Sequence, residues 1–212
     1  MRILVMTAVA AEQDAVLRGI NNDPRFDVVA GGVGPVAAAI STTKVIAKGE
    51  YDLVISAGIG GGFIGRADVG SIVVATDIIA ADLGAQTTEG FASIEQLGFG
   101  ISRVPVDQEL ATKVADAFQK AELSTFTGPV LTLSTVTGSF ETAEDLALRV
   151  EGATVEAMEG FGVALAAHDA KLPVLEIRTI SNPVGPRDKS SWKIKEALQQ
   201  LEKASSVLAE VL

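Results

Sequence analysis

Short β-branched runs alternate with helix-period segments from one end of the chain to the other, and this alternation restricts the fold more than any other feature. Strands that take turns with helical segments pair in parallel through crossovers, so the pattern specifies an α/β domain rather than separate helical and sheet halves. The runs predict strands at Arg2–Thr7, Phe26–Ala30, Asp52–Ala57, Ser71–Ala80, Val130–Thr137, Thr154–Met158 and Val174–Ser181. Between them the spacing predicts helices at Glu12–Ile20, Pro35–Lys48, Gln108–Ala121, Ala143–Val150 and Gly160–Ala170. Along Ser191–Val211, Ile194, Leu198, Leu201, Ala204, Leu208 and Val211 recur at three- and four-residue steps, a stripe that faces a core. No linker or repeat breaks the pattern, so residues 1–212 read as a single domain. Asp82–Pro105, with Gly84, Gly90, Gly98 and Gly100, is too long for an ordinary connection and reads as a functional loop or an edge hairpin.

Charge and composition narrow the chemistry. Seventeen Lys and Arg against 27 Asp and Glu give a formal charge of -10, a field that repels nucleic-acid polymers and anionic lipid. With no Cys and a single His there is no disulfide framework, thiolate nucleophile or Cys-ligated zinc, so cytoplasmic chemistry without a metal is expected. The lone His168, late in an Ala-rich helix and without an obvious partner, reads as a surface or half-buried side chain. The apolar run after Met1 ends by Glu12 and Asp14, short of a signal peptide. Ile72–Ala75 and Ile78–Ala81 are split by Thr76 and Asp77 and fall below the ~20 residues of a bilayer span, so no membrane association is expected.

Two glycine motifs compete for attention. Gly32-Val33-Gly34-Pro35-Val36-Ala37 follows a predicted strand and opens a helix with Pro35 in its first turn, as a dinucleotide fingerprint would. The ribose-binding acid that should end the next strand is missing, because Asp52 begins that strand and Ala57-Gly58 ends it. Gly60-Gly61-Gly62-Phe63-Ile64-Gly65 has similar spacing but leads into another strand, not a helix. Either cluster also reads as a tight strand exit that needs positive φ.

Four segments carry more information together: Ala11-Glu12, Val54-Ile55-Ser56-Ala57-Gly58-Ile59-Gly60-Gly61-Gly62, Val155-Glu156-Ala157-Met158-Glu159-Gly160, and Ile177-Arg178-Thr179-Ile180-Ser181-Asn182. In this order and spacing the whole chain resembles the nucleoside phosphorylase and nucleosidase superfamily, which includes purine nucleoside phosphorylases and methylthioadenosine/S-adenosylhomocysteine nucleosidases. Within it, Ser181-Asn182-Pro183-Val184-Gly185-Pro186-Arg187-Asp188 followed by Trp192 resembles the matching stretch of the futalosine hydrolases. The resemblance implies a three-layer αβα fold with a central mixed twisted sheet, N-ribosidic bond cleavage, no metal or organic cofactor, a small nucleoside as partner, and a homo-oligomer.

Such cleavage passes through an oxocarbenium-like sugar, so a site must hold the ribose, stabilise the departing base and present water or phosphate to C1′. The resemblance implies that Glu12 orients and deprotonates the water, Met158 packs on the sugar, Glu159 holds the 2′,3′-diol, and Gly60 and Gly61 bound the substrate. Taken alone, Glu12 and Glu159 also read as helix N-terminal acids that the macrodipole favours. Ala157 separates Glu156 from Met158, a departure from the Val-Glu-Met-Glu pattern of the nucleosidases, so Glu159 is favoured over Glu156. Phe140, after Thr137-Gly138-Ser139, matches the loop whose aromatic stacks on the purine, though a core Phe would read alike.

Asn182 stands where adenine-releasing nucleosidases of the superfamily carry an Asp that protonates N7. An amide cannot deliver a proton, but its NH2 donates to N7 or O6, which points to a 6-oxopurine. An Asn-Pro turn at a strand end is the plainer alternative. Phosphate would need fixed cations beside C1′, and Thr7–Asp14 contains no Lys or Arg, which leaves Arg66 as the one candidate and favours water. Futalosine carries a carboxylate on an aryl ketone, for which Arg187, Lys189 and Trp192 offer cations and an aromatic wall. The same residues also read as a solvated loop ahead of a helix capped by Ser190 or Ser191.

Overall fold

Apolar residues fill both faces of the central strands, and that is why these strands lie inside the molecule. The computed structural model describes residues Met1–Leu212. Strand β1 (Ile3–Thr7) leads through α1 (Ala10–Gly19) to β2 (Phe26–Ala30), and α2 (Pro35–Ile46) returns the chain to β3 (Leu53–Gly62). After β4 (Ile72–Ala80) come β5 (Gly84–Thr87), β6 (Gly90–Ser93) and β7 (Arg103–Pro105), then α3 (Gln108–Lys120) and β8 (Thr125–Thr132). The last part holds α4 (Phe140–Arg149), β9 (Val155–Ala157), α5 (Gly160–Asp169), β10 (Val174–Pro183) and α6 (Ile194–Val211).

The sheet is mixed. β2, β1, β3 and β10 run parallel in that order, β4 pairs antiparallel to β10, and β8 lies parallel to β4. β9 lies parallel to β8 and antiparallel to β3, so β3, β10, β4, β8 and β9 close on themselves while β1 and β2 extend from the ring. Helices α1 and α3 pack on α6, and α2 packs on α5. Both α5 and α6 touch β3 and β10, which places the two helical groups on opposite sides of the sheet. The main core gathers Leu4, Ile55, Phe118, Leu175 and Leu201, and each full burial of this kind contributes roughly 1.5–3 kcal/mol. A smaller cluster under α4 joins Leu131, Leu133, Leu146 and Val184. No helix is long and apolar enough to cross a membrane.

The α/β class and mixed sheet agree with expectation, and most elements fall within a few residues of their predicted spans. Three differences bear on the site. β3 does not end at Ala57 but continues through Gly62, and Gly60, Gly61 and Gly62 are not among the positive-φ glycines. They admit close neighbours instead of making a turn: a Cβ on Gly60 would stand 2.7 Å from a Val155 methyl, and one on Gly62 2.3 Å from the Ala67 carbonyl oxygen. β8 occupies 125–132 rather than 130–137, which frees 133–139 as a loop, and α4 begins at Phe140, with Ser139 accepting from the Thr142 N–H at 3.2 Å. α6 begins at Ile194 and no serine caps it; Ser190 and Ser191 belong to a 3-10 turn whose Ser190 N–H donates to Asp188 at 3.0 Å. Asp82–Pro105 contains the β5–β6 hairpin and the edge strand β7, in line with the hairpin expectation.

Candidate active site

Ligand sites in parallel α/β sheets lie beyond the carboxyl ends of the strands. Here the ends of β1, β3 and β10 converge with β9 on a cavity of about 330 Å3, lined by Glu12, Glu156, Glu159, Ser181, Asn182 and Trp192 among others. β9 runs the other way, beginning beside the end of β3 with Glu156 in register with Gly61, and Glu156 and Ala157 on it, with Met158 and Glu159 just after it, line the same cavity.

Glu12 lies in the first turn of α1, where its sequence position alone would suit an exposed acid, yet it is 3% exposed. The Ala8 and Val9 N–H groups donate to Oε2 at 2.9 and 3.2 Å, and the Ile59 N–H donates to Oε1 at 2.9 Å. These three backbone donors fix the carboxylate at the cavity wall and leave one lone pair, on Oε1, for a ligand. Gly58 makes this possible, because a Cβ there would stand 2.7 Å from both Glu12 Oε1 and Arg178 Nη1.

Arg178, 1% exposed, lies behind the wall on β10. Its Nε donates to Glu176 Oε1 at 2.8 Å, Nη2 to Ser56 Oγ at 3.0 Å, and Nη1 to Glu159 Oε2 and the Ile59 carbonyl, each at 3.4 Å. Glu159 precedes α5, and the Gly34 N–H at the start of α2 donates to its Oε1 at 3.2 Å. Gly34 has φ +92, and Pro35 occupies the first turn as expected. The donor that a dinucleotide phosphate would use is therefore bound to Glu159.

Glu156, on β9, is buried and accepts from the Thr137 N–H at 2.9 Å and, in a short contact, from the Thr137 hydroxyl. Burial pushes its carboxyl above the usual glutamate range against these two bonds. Glu156 and Asn182 both stand in register with Gly61, from opposite sides of β3. A β-bulge between Ile180 and Asn182 breaks the alternation of β10, so the successive residues Ser181 and Asn182 both line the cavity. Ser181 Oγ donates to Asn182 Oδ1 at 2.8 Å, and Asn182 Nδ2 donates to the Pro183 carbonyl at 3.0 Å.

Of the residues singled out from sequence, Glu12, Gly60, Gly61, Met158, Glu159, Asn182 and Trp192 line the cavity. Phe140 and Arg187 are not in the lining. Phe140 is 57% exposed, with its ring beside Gly185, where a Cβ would lie 3.5 Å away. The Arg187 guanidinium stands 5.7 Å from the Trp192 ring centroid. Arg66 and His168 are exposed. Sequence reasoning set Glu156 aside and overlooked the Glu176–Arg178 pair. The available signal was two charges at i and i+2 inside a strand that is otherwise apolar, a spacing that turns both to one face.

The family model of the Phosphorylase superfamily matches residues 12–212. The chain is 46% identical to the futalosine hydrolase of Streptomyces coelicolor, across 100% of this chain and 97% of the relative. It is 41% identical to the futalosine hydrolase of Acidothermus cellulolyticus, across 97% and 89% respectively. This chain belongs to the futalosine hydrolase family of the Phosphorylase superfamily. Members of the futalosine hydrolase family are N-glycosyl hydrolases, and this chain is such an enzyme. The fold is shared with S-adenosylhomocysteine nucleosidase from Streptococcus pyogenes in complex with 5-methylthiotubericidin, with a TM-score of 0.87, 17% identity and coverage of 100% and 98%. The methylthioadenosine/S-adenosylhomocysteine nucleosidase of Neisseria meningitidis gives a TM-score of 0.84, 20% identity and coverage of 99% and 97%. This futalosine hydrolase family member thus has the architecture of the nucleosidases.

Proposed function

We propose that the enzyme hydrolyses the N-ribosidic bond of futalosine, releasing hypoxanthine and dehypoxanthine futalosine. One observation carries the choice of water over phosphate: Glu12, Glu156 and Glu159 line the cavity together with Asn182, and no Lys or Arg side chain does. Phosphate held beside C1′ would meet three lining carboxylates, with Arg178 behind the wall already bound to Glu159 and Glu176. The identity to the Streptomyces and Acidothermus enzymes supports the substrate.

In the reaction Glu12 accepts a proton from a water whose oxygen bonds to C1′. The C1′–N9 bond breaks and its electron pair departs with the base. Glu159, with Met158 beside it, accepts from the 2′- and 3′-hydroxyls. The developing charge on the 6-oxopurine spreads into O6 and N7, where the Asn182 amide donates. The base leaves as an anion and takes its proton from water, so no acid is required at position 182. Phe140 closes over the purine from the start of α4. Arg187, Lys189 and Trp192 receive the carboxyaryl group.

Val9, Val33, Val36 and Ile40 are 42%, 56%, 71% and 51% exposed, and Val9 and Val33 also line the cavity. This apolar rim supports a homo-oligomer in which a second copy covers the mouth of the site. The reaction belongs to menaquinone biosynthesis in the cytoplasm. The deciding experiment compares purine release from futalosine, its amino counterpart, inosine and methylthioadenosine, with and without phosphate. Phosphate-independent release of hypoxanthine from futalosine is expected; a phosphate requirement with a sugar 1-phosphate product would overturn the reading.

A further inference from the structure

Glu176 is the one carboxylate of this region that does not reach the cavity. It is 0% exposed on β10, and only one of its oxygens is engaged: Oε1 accepts from Arg178 Nε at 2.8 Å, while Oε2 has no partner. The chain makes room for it at Gly160, where a Cβ would stand 2.2 Å from both carboxylate oxygens. Residues 176 and 178 share a face of β10, so Glu176 holds the rear edge of a guanidinium whose front edge meets Glu159, and whose Nη1 flanks Gly58 with Glu12. Burying an acid so deeply costs free energy unless its charge is used, and no backbone group depends on this one.

We propose that Glu176 is a positioning residue for the hydrolysis, orienting Arg178 and sharing its charge so that Glu159 and Glu12 are held in place at the cavity wall. The groups that face Arg178 are Glu12 from α1, Glu159 from the start of α5 and Glu176 from β10, with Glu156 on β9 also lining the cavity. With Glu176 in place, one cation is shared among three carboxylates. Without the Glu176 carboxylate, Arg178 loses its Nε partner and its full field falls on Glu12 and Glu159. The pair sits behind the reacting atoms and acts through the residues that touch them.

This inference rests on the hydrolase reading, with Glu12 as the base. Its test is the pH profile of kcat/KM for futalosine in the wild type, Glu176→Gln and Glu176→Asp. Binding of hypoxanthine is followed in parallel by the fluorescence of Trp192, the single Trp of the chain and a cavity residue. Glu176→Gln is expected to bind hypoxanthine as the wild type does, to lose roughly 10- to 100-fold in kcat, and to shift the acid limb to lower pH by about 1 unit. Glu176→Asp restores the charge without the reach, so its acid limb returns to the wild-type position while kcat stays low. Wild-type turnover with a Glu176→Gln profile superimposed on it would overturn the inference and leave the hydrolase intact. Loss of the fold in both variants would make Glu176 purely structural and also overturn it. A wild-type chain that releases no purine from futalosine would instead overturn the functional reading, and this inference with it.

Discussion

Ser181 Oγ donates to Asn182 Oδ1 at 2.8 Å and Asn182 Nδ2 donates to the Pro183 carbonyl at 3.0 Å, which leaves one N–H of that amide free to meet a ligand. In the proposed reaction that N–H donates to the base, a role suited to the O6 and N7 acceptors of a 6-oxopurine. Replacing Asn182 by Asp keeps the Ser181 bond but offers the base an acceptor or an acid. Asn182→Asp is expected to lower the preference for futalosine over its amino counterpart by at least about 10²-fold, because a site built to pair one exocyclic group discriminates strongly. Competition between the two nucleosides measures it; unchanged discrimination would remove Asn182 from base reading.

Glu12 receives three backbone donors; in Gln the carbonyl oxygen can still accept from Ala8 and Val9 while the NH2 faces the Ile59 N–H, and losing that one bond costs about 1–3 kcal/mol, which a folded domain tolerates. Glu12→Gln should therefore fold and bind hypoxanthine normally while kcat falls about 10²- to 10⁴-fold, the usual contribution of a general base. Trp192 fluorescence and single-turnover kinetics separate the two effects. A variant that turns over at the wild-type rate would exclude Glu12 as the base.

Gly58 is a test of placement rather than chemistry. A methyl group there meets the ends of two side chains, Glu12 Oε1 and Arg178 Nη1, and no backbone, so the fold can absorb it by moving those ends. Gly58→Ala is expected to unfold cooperatively, within a few degrees of the wild type, yet to lose about 10²-fold in kcat/KM, the effect of an ångström of misplacement. Full activity in a folded variant would mean that the Glu12–Arg178 arrangement tolerates more movement than the mechanism allows.

How much of this was legible in the sequence follows from what kind of interaction set each residue's place. Local patterns located α2 and β2 closely, because Pro35 and the β-branched run at Phe26–Ala30 act within a few residues. The glycines of β3 misled, since the reason for Gly58 and Gly60 lies in Glu12, Val155 and Arg178, none of which is near in sequence. Glu12 and Glu159 were legible through motif order, but their donors include Ile59 inside β3 and Gly34 just ahead of α2. Glu156 was set aside because one inserted residue shifted the motif. Its partner Thr137 became available only because β8 ends at Thr132 and leaves the following residues as a loop.

The exposed Arg187 pairs with the half-buried Trp192 at the edge of the cavity. If this pair receives the carboxyaryl end of futalosine, the effect of removing it must depend on that group. Arg187→Ala is expected to raise KM for futalosine roughly tenfold, one exposed charge-assisted contact, with kcat unchanged and with no effect on inosine, which lacks the carboxylate. Parallel KM measurements on the two nucleosides decide it, and equal effects on both would assign Arg187 to the loop rather than to the substrate.

The raised Glu156 carboxyl makes a prediction about stability that needs no substrate. Burial disfavours the ionised form, so the folded chain keeps this proton to higher pH than the unfolded chain, whose carboxyl titrates near the ordinary 4.5. Between that value and the higher one of the folded state, the native protein binds more protons than the unfolded one, and stability therefore falls as pH rises. Above the folded value the loss is complete. Glu156→Gln cannot ionise, and its amide can still accept from the Thr137 N–H and donate to the Thr137 hydroxyl, so the comparison isolates the charge. Glu176 is also pushed up by burial, against its Arg178 partner, but it is present in both proteins and cancels. The difference in Tm, variant minus wild type, should become more positive as pH rises above the ordinary value of 4.5 and level off once the folded-state carboxyl has ionised. Calorimetry across that range measures it, and a difference that is flat or falls with pH would show that the Thr137 bonds outweigh burial at Glu156.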